Sequence, residues 1–179
     1  MQDPDKNIEA LRSNPYPGRG IIIGHSPDGL NYVQVYWIMG RSENSRNRVF
    51  VKDGDTVRTA PFDESRVEDP SLIIYNCLRK SGHTHVVTNG DQTDTIMDAL
   101  RTGGTFESAL NVRTFEPDAP NFTPRISGIL TPGNAHTYAL SILKSINNNP
   151  HHVSRQFFSY TAPIRGIGHF ISTYSGDGN

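Results

Sequence analysis

The sequence predicts an α+β domain in which antiparallel strands form most of the fold. Segments with period-two alternation of aromatic and β-branched residues come in pairs separated by turn dipeptides, which is typical of hairpins. Clear helical spacing appears in one block, 95–112, after the first predicted strands. This order argues against a doubly wound parallel sheet, in which strands and helices would alternate along the chain.

Composition narrows the class of protein. A chain of 179 residues is the size of one compact domain, and 17 basic against 18 acidic residues give a net charge of -1. This balance offers no general attraction for nucleic acid or an anionic membrane, so an anionic ligand needs a local cluster of charge. The sequence contains no apolar run of about 20 residues, and its start is too charged for a signal peptide. With one cysteine, Cys77, the chain is expected in the cytoplasm.

The first part of the chain predicts one short helix and three hairpins. The helix carries Ile8 and Leu11 and ends at the Pro- and Gly-rich segment 14–18. Asp53-Gly54 and Asn89-Gly90 mark turns, because these dipeptides tolerate a positive φ. The predicted strand pairs are 20–24 with 31–39, 48–52 with 55–59, and 72–78 with 83–88.

The second part predicts two helices and then strands again. Helix 95–101 has an apolar face and a cap at Thr93 or Asp94, and a second helix is expected over 105–112. The later strands are predicted at 125–130, 138–143, 154–160 and 169–174. The last strand runs into a turn at 176–178, which normally leads to another strand. We therefore expect a single domain over 1–179 whose natural chain continues further, with a strand ending at the surface as the alternative.

Three arginines in the polar loop 41–48 form the first candidate site. Arg41, Arg46 and Arg48 follow an apolar strand and could bind a phosphate through forked, charge-assisted hydrogen bonds. A solvated loop is the alternative interpretation of this segment.

The second candidate site lies in the apolar segment 72–79, where Tyr75 and Asn76 are polar and need partners. Alternation predicts Tyr75, Cys77 and Arg79 on one face and Asn76 on the other, and a core hydrogen bond is the alternative role.

Two further segments combine polar residues with a turn. Segment 88–95 lies between a strand and a helix, where backbone N–H groups attract anions; helix capping alone would also explain Thr93 and Asp94. Glu116, Asn121, Thr123 and Arg125 surround three prolines, and a surface loop is the alternative there.

The sequence offers little evidence for a metal site or for a catalytic nucleophile. His83 and His85 share a strand face, but no third ligand follows at a familiar spacing, so we expect no metal site. Cys77 has no neighbouring base in sequence, which favours an inert buried thiol. The sequence contains neither G-x-S-x-G nor a P-loop.

Taken together, the segments resemble the archaeal-type IMP cyclohydrolase family and its bacterial relatives. The order and spacing of the motifs make the set specific, although each motif alone is weak. The motifs are YPGRG at 16–20, RS at 41–42 with Arg46 and Arg48, YNCLR at 75–79, TNG at 88–90, TDTI at 93–96, NFTPRI at 121–126 and ISTY at 171–174.

The resemblance implies a four-layer α-β-β-α sandwich similar to the N-terminal-nucleophile hydrolases, without their nucleophile. It also implies dehydrative ring closure of 5-formamidoimidazole-4-carboxamide ribotide to IMP, with a purine ribonucleotide as partner, no cofactor, and a homo-oligomer left open. Tyr75, Asn76 and Glu116 become candidates for catalysis. The substrate-binding candidates are Arg41, Arg46, Arg48, Arg79, Asn89, Gly90, Thr93, Asp94 and Arg125. An amide hydrolase of another substrate and a non-catalytic nucleotide-binding protein are the alternatives.

Overall fold

The computed structural model describes residues 3–134 and 137–176. Residues 177 and 178 of the predicted last turn lie outside these ranges. The helices are α1 Pro4–Ser13, α2 Glu43–Arg46, α3 Gln92–Arg101 and α4 Phe106–Asn111, with a 3-10 turn at Glu64–Arg66. The strands are β1 Arg19–His25, β2 Tyr32–Ile38, β3 Arg48–Asp53, β4 Thr56–Pro61, β5 Asn76–Ser81, β6 Thr84–Thr88, β7 Arg125–Leu130, β8 Tyr138–Ile146, β9 Asn149–Tyr160 and β10 Gly168–Ser172.

The strands form two antiparallel sheets, which confirms the α+β class and the three predicted hairpins. One sheet has the order β10-β1-β2, and the other is a meander from β3 to β9. Gly54, with φ of 56°, turns the chain between β3 and β4 as predicted. Asn147 and Asn148 both have positive φ, so they suit a tight turn between β8 and β9.

The two sheets pack face to face around one apolar core. Ile21 and Ile23 of β1 contact a cluster from the large sheet that includes Val87, Ile126 and Leu140. On the other face of the large sheet, α3 and α4 bury a second cluster, which includes Ile96, Phe106 and Leu110. The helical block α3–α4 thus covers one face of the large sheet, as in other α+β layered domains.

The small sheet turns polar side chains inward and apolar ones outward on β2. Tyr36 faces the large sheet, whereas Val33 and Val35 are 40% and 41% exposed on the outer face. Helix α1 lies beside this outer face, where Ile8 and Leu11 line a cavity of about 310 Å³ together with Ile22. No helix among the described residues is long and apolar enough to cross a membrane.

Two local predictions are wrong. Residues 72–74 form a turn held by the Pro70 carbonyl, which accepts from the N–H groups of Ile73 and Ile74, so β5 begins only at Asn76. Helix α3 begins at Gln92 with Asp91 as its N-cap, not at the predicted caps Thr93 or Asp94. The Thr93 hydroxyl is instead hydrogen-bonded to the Thr88 hydroxyl at 2.7 Å, because Thr88 ends the neighbouring strand.

Candidate functional site

A pocket of about 260 Å³ opens at one end of the sandwich, close to the low end of typical ligand sites. It is bounded by the segment before β1, the loop after β2, the loop 116–124 and the residues that follow β10. Its charged lining comes from Arg19, Arg41 and Asp118, and its aromatic lining from Tyr16 and Tyr174. Four segments distant in sequence therefore contribute to one site.

Gly18 allows the chain to enter β1 at this pocket. Its φ of 71° favours glycine, and a Cβ added there would collide with the Thr173 hydroxyl and the Tyr174 ring. The neighbouring Arg19 N–H donates to Thr173 Oγ1 at 3.0 Å, and the Thr173 N–H donates to the Arg19 carbonyl. The motifs at 16–20 and 171–174 thus meet because glycine permits their close approach.

Arg41 lies at the mouth of the pocket. Its guanidinium carbon is 4.9 Å from the centre of the Tyr16 ring and 5.4 Å from that of Tyr174, which are cation–π distances. Arg46 supports this loop from behind, because its Nε donates to the Gly40 carbonyl and Nη2 donates to the Arg41 carbonyl. Arg41 therefore faces the pocket, while Arg46 holds backbone.

Arg19, which lines the pocket, belongs to a buried ion pair with Glu116. Arg19 Nη2 is 3.5 Å from Glu116 Oε2, and these residues are 8% and 2% exposed. Burial raises the pKa of Glu116 to about 7, although the charges of Arg19 and Arg125 favour its ionised form. Burial opposes the charge of Arg19, but Glu116 holds the Arg19 pKa above its ordinary value. Glu116 can therefore gain and lose a proton near neutral pH.

Tyr75 lies near this ion pair and is 6% exposed. Its hydroxyl is 2.8 Å from the hydroxyl of Tyr36, and its N–H donates to Thr59 Oγ1 at 2.9 Å. Burial raises the pKa of Tyr75, while the nearby charges of Arg48 and Arg19 lower it. Tyr75 is thus a neutral phenol, and the two cations only partly offset the rise of its pKa on burial.

Arg48 supplies unused hydrogen-bond donors beside Tyr75. Its Nε donates to the Ser45 carbonyl at 2.7 Å, which fixes the side chain. Its Nη1 and Nη2 are buried and have no hydrogen-bond partner among the described residues. Buried guanidinium nitrogens normally find partners, so this pair indicates a place for an acceptor such as an anionic ligand.

The structure places other predicted residues away from the pocket. Asn76 Nδ2 donates to both carboxylate oxygens of Asp94 at 3.0 Å, and Arg79 Nη1 donates to Asp94 Oδ1 at 2.8 Å. The prediction that Asn76 and Arg79 face opposite sides is wrong, since both contact one carboxylate of α3. In the pairing of β4 with β5, the register shifts between Val57 and Arg58. This bulge in the pairing breaks the regular alternation of side chains along β5.

Asn89, Gly90, Thr93 and Arg125 form a network at the start of α3. Asn89 Oδ1 accepts from Gln92 Nε2 and from the Ile126 N–H, and Arg125 Nη1 donates to Gln92 Oε1 at 2.6 Å. Thr88 Oγ1 donates to the Gly90 carbonyl. These residues bind one another, and their predicted contact with substrate stays a prediction.

Sequence reasoning missed Arg19 and Tyr36 as site residues. Arg19 is a charged residue at the first position of an otherwise apolar strand, which is a signal because a buried charge needs a partner. Tyr36 belongs to the alternation of Tyr32, Gln34 and Tyr36 with valines and tryptophan in β2. That pattern marks a strand with one polar face, but it does not tell which face lies inside.

The fold and the site together define an α+β domain with a buried acid and a cationic pocket suited to an anionic small molecule. The chain belongs to the IMP cyclohydrolase family: a family model described as "IMP cyclohydrolase-like protein" matches residues 16–179.

Several curated relatives bear the name IMP cyclohydrolase. The protein of Methanopyrus kandleri is 34% identical over 163 residues, covering 89% of this chain and 75% of the relative. That of Methanococcus aeolicus is 28% identical over 164 residues, covering 89% and 74%. That of Methanococcus maripaludis strain C7 is 34% identical over 126 residues, covering 68% of this chain. In that last case the match spans 61% of the relative's length.

Proposed function

We propose that this chain is an IMP cyclohydrolase, which closes the pyrimidine ring of 5-formamidoimidazole-4-carboxamide ribotide with loss of water. The names of its relatives support this activity. The observation that carries it is the proximity of a carboxyl group of pKa about 7, a buried phenol and the Arg48 guanidinium, near a cationic pocket. Two nitrogens of this guanidinium are buried and have no partner among the described residues.

Both reacting groups belong to the substrate, so the protein mainly has to orient them. In the addition step, the carboxamide nitrogen attacks the formyl carbon and Glu116 takes one proton from that nitrogen. Tyr75 gives its proton to the formyl oxygen, where negative charge develops. Arg48 stabilises the charge left on Tyr75, because its cation already lowers the pKa of that phenol.

In the dehydration step, Glu116 returns its proton to the new hydroxyl, which leaves as water. A carbon–nitrogen double bond forms to the formamido nitrogen, and the proton of that nitrogen restores Tyr75. Each group thus ends as it began. A carboxyl group whose pKa is near 7 suits both roles, because it holds and releases a proton with similar ease.

We place the domain at 1–179 and assign α1 as the outer layer of a four-layer α-β-β-α sandwich. The position of Ile8 and Leu11 opposite Ile22 supports this assignment. Burial of α1 is shallow, since Ile8 stays 49% exposed.

The direct test incubates the purified chain with the formyl substrate and follows IMP by chromatography. We expect IMP to form with a rate proportional to the concentration of the chain. Release of formate and the amine in place of IMP would indicate an amide hydrolase. If the chain binds IMP but does not convert the formyl substrate, it is a nucleotide-binding protein without catalysis, and the proposal is contradicted.

Arg41→Ala is expected to weaken IMP binding about 10- to 100-fold, because an anion at the pocket mouth loses a charge-assisted partner. Isothermal titration with IMP measures the dissociation constant. The control is Arg101→Ala on α3, whose side chain is 76% exposed and pairs with Asp98. Equal affinities for parent, control and Arg41→Ala would remove Arg41 from nucleotide binding.

A further inference from the structure

The hydroxyl of Tyr36 contacts the hydroxyl of Tyr75, and the proposed reaction steps give Tyr36 no role. Its register opposite Ile21 on β2 turns its side chain toward the large sheet, and its ring is 5.8 Å from the ring of Phe50. The two phenol oxygens are 2.8 Å apart. This is the distance of a good O–H···O hydrogen bond.

The surroundings act differently on the acidity of the two phenols. Burial, together with Tyr75 itself, raises the pKa of Tyr36 well above its ordinary value, with Cys77 adding to this and Arg19 opposing it. Tyr75 is also raised by burial and by Glu116, but Arg48, Arg19 and the hydrogen bond from Tyr36 lower its pKa. Either hydroxyl can donate while both phenols are neutral, but an ionised Tyr75 oxygen can only accept, so Tyr36 is the donor once the Tyr75 proton has left.

A phenol that accepts one hydrogen bond keeps its own proton free for another partner. When the Tyr36 O–H is directed at its oxygen, the proton of Tyr75 is free for another acceptor, such as the substrate. When that proton moves to the substrate, negative charge grows on the Tyr75 oxygen. A hydrogen bond to an ionised oxygen is about twice as strong as one between neutral groups.

We propose that Tyr36 is a positioning residue, which leaves the Tyr75 proton free for the substrate and stabilises the Tyr75 oxygen as that proton leaves. This inference rests on the proposed cyclohydrolase function and adds a residue to it. Tyr36 itself does not touch the substrate, so its contribution should disappear when the Tyr75 hydroxyl is absent.

The test measures kcat and KM for Tyr36→Phe, Tyr75→Phe and the double variant. We expect Tyr36→Phe to lower kcat roughly 10- to 100-fold while KM changes less than about 2-fold. The double variant should be no slower than Tyr75→Phe, because both changes interrupt one interaction. Effects that multiply in the double variant, or wild-type kcat in Tyr36→Phe, would overturn the proposal.

If the wild-type chain makes no IMP, only the proposed function is overturned. A second measurement tests the hydrogen bond from Tyr36 to Tyr75 without any turnover. Chains labelled with 3-fluorotyrosine give a ¹⁹F resonance for Tyr75, assigned by its loss in Tyr75→Phe. In Tyr36→Phe this resonance should titrate at higher pH, because the hydrogen bond that favours its ionised form is gone. An unchanged or lower midpoint in the folded variant would contradict the donor role of Tyr36.

Discussion

Glu116→Gln is expected to lower kcat by roughly 10²- to 10⁴-fold, the usual contribution of a positioned general acid or base. The amide keeps the shape and hydrogen-bonding capacity of the side chain but cannot accept a proton from the carboxamide nitrogen. Steady-state kinetics with the formyl substrate measures the loss. Glu9→Gln provides the control, since Glu9 is exposed on α1 and should leave turnover unchanged.

The pH dependence of the wild-type activity tests the same role of Glu116. The addition step needs ionised Glu116, and the fraction of this form rises as the pH passes its pKa of about 7. We therefore expect kcat/KM of the wild-type chain to increase between pH 6 and 8 and then to level off. The residual activity of Glu116→Gln should lack this increase. A wild-type kcat in the folded variant, or a profile that falls through pH 7, would exclude Glu116 as the base.

Tyr75→Phe is expected to lower kcat by about 10²- to 10³-fold with KM nearly unchanged, as when one donor to a developing oxyanion is removed. The aromatic ring stays, so the packing between the sheets should survive. The Tyr36 hydroxyl loses its partner, and the free energy of unfolding should fall by about 1 to 3 kcal/mol. Kinetics and denaturant unfolding of the same preparation separate the two effects.

Tyr138→Phe is the matched control for this change. Tyr138 is also buried, at 2% exposure, and its hydroxyl is 2.7 Å from His169 Nδ1. His169 pairs with Ile23, about 13 Å along β1 from Arg19, so this bond lies away from the proposed site. We expect a similar loss of stability with normal turnover. If Tyr75→Phe also shows normal turnover, Tyr75 has a structural role and no catalytic one.

Local sequence features predicted the strands well because hairpins depend on short-range chemistry. The segment of β7 was predicted with its observed bounds, Arg125–Leu130, and Asp53-Gly54 turns the chain where expected. Only the first part of the predicted strand 72–78 is wrong, since β5 begins at Asn76. Leu72, Ile73 and Ile74 are buried or half-buried, but the Pro70 carbonyl holds their backbone in a turn, so an apolar segment was mistaken for strand.

The candidate site was predictable only in part. Arg41, Tyr75 and Glu116 were selected from the sequence, and they lie at or near the pocket. Asn76 and Asp94 were selected with equal reason but contact each other on the helix side of the sheet. A bulge reverses side-chain direction, and its position depends on the partner strand, which alternation within one strand cannot reveal.

The sequence by itself determined the α+β class, the hairpins and the family, because alternation, turn dipeptides and ordered motifs are properties of neighbouring residues. The tertiary structure decided which side chains meet. Arg19 joins Glu116, and Tyr36 joins Tyr75, only because the inner face of the small sheet packs against the rest of the domain. The energy of such contacts depends on burial and distance between remote segments, and neither is set until the sheets have packed.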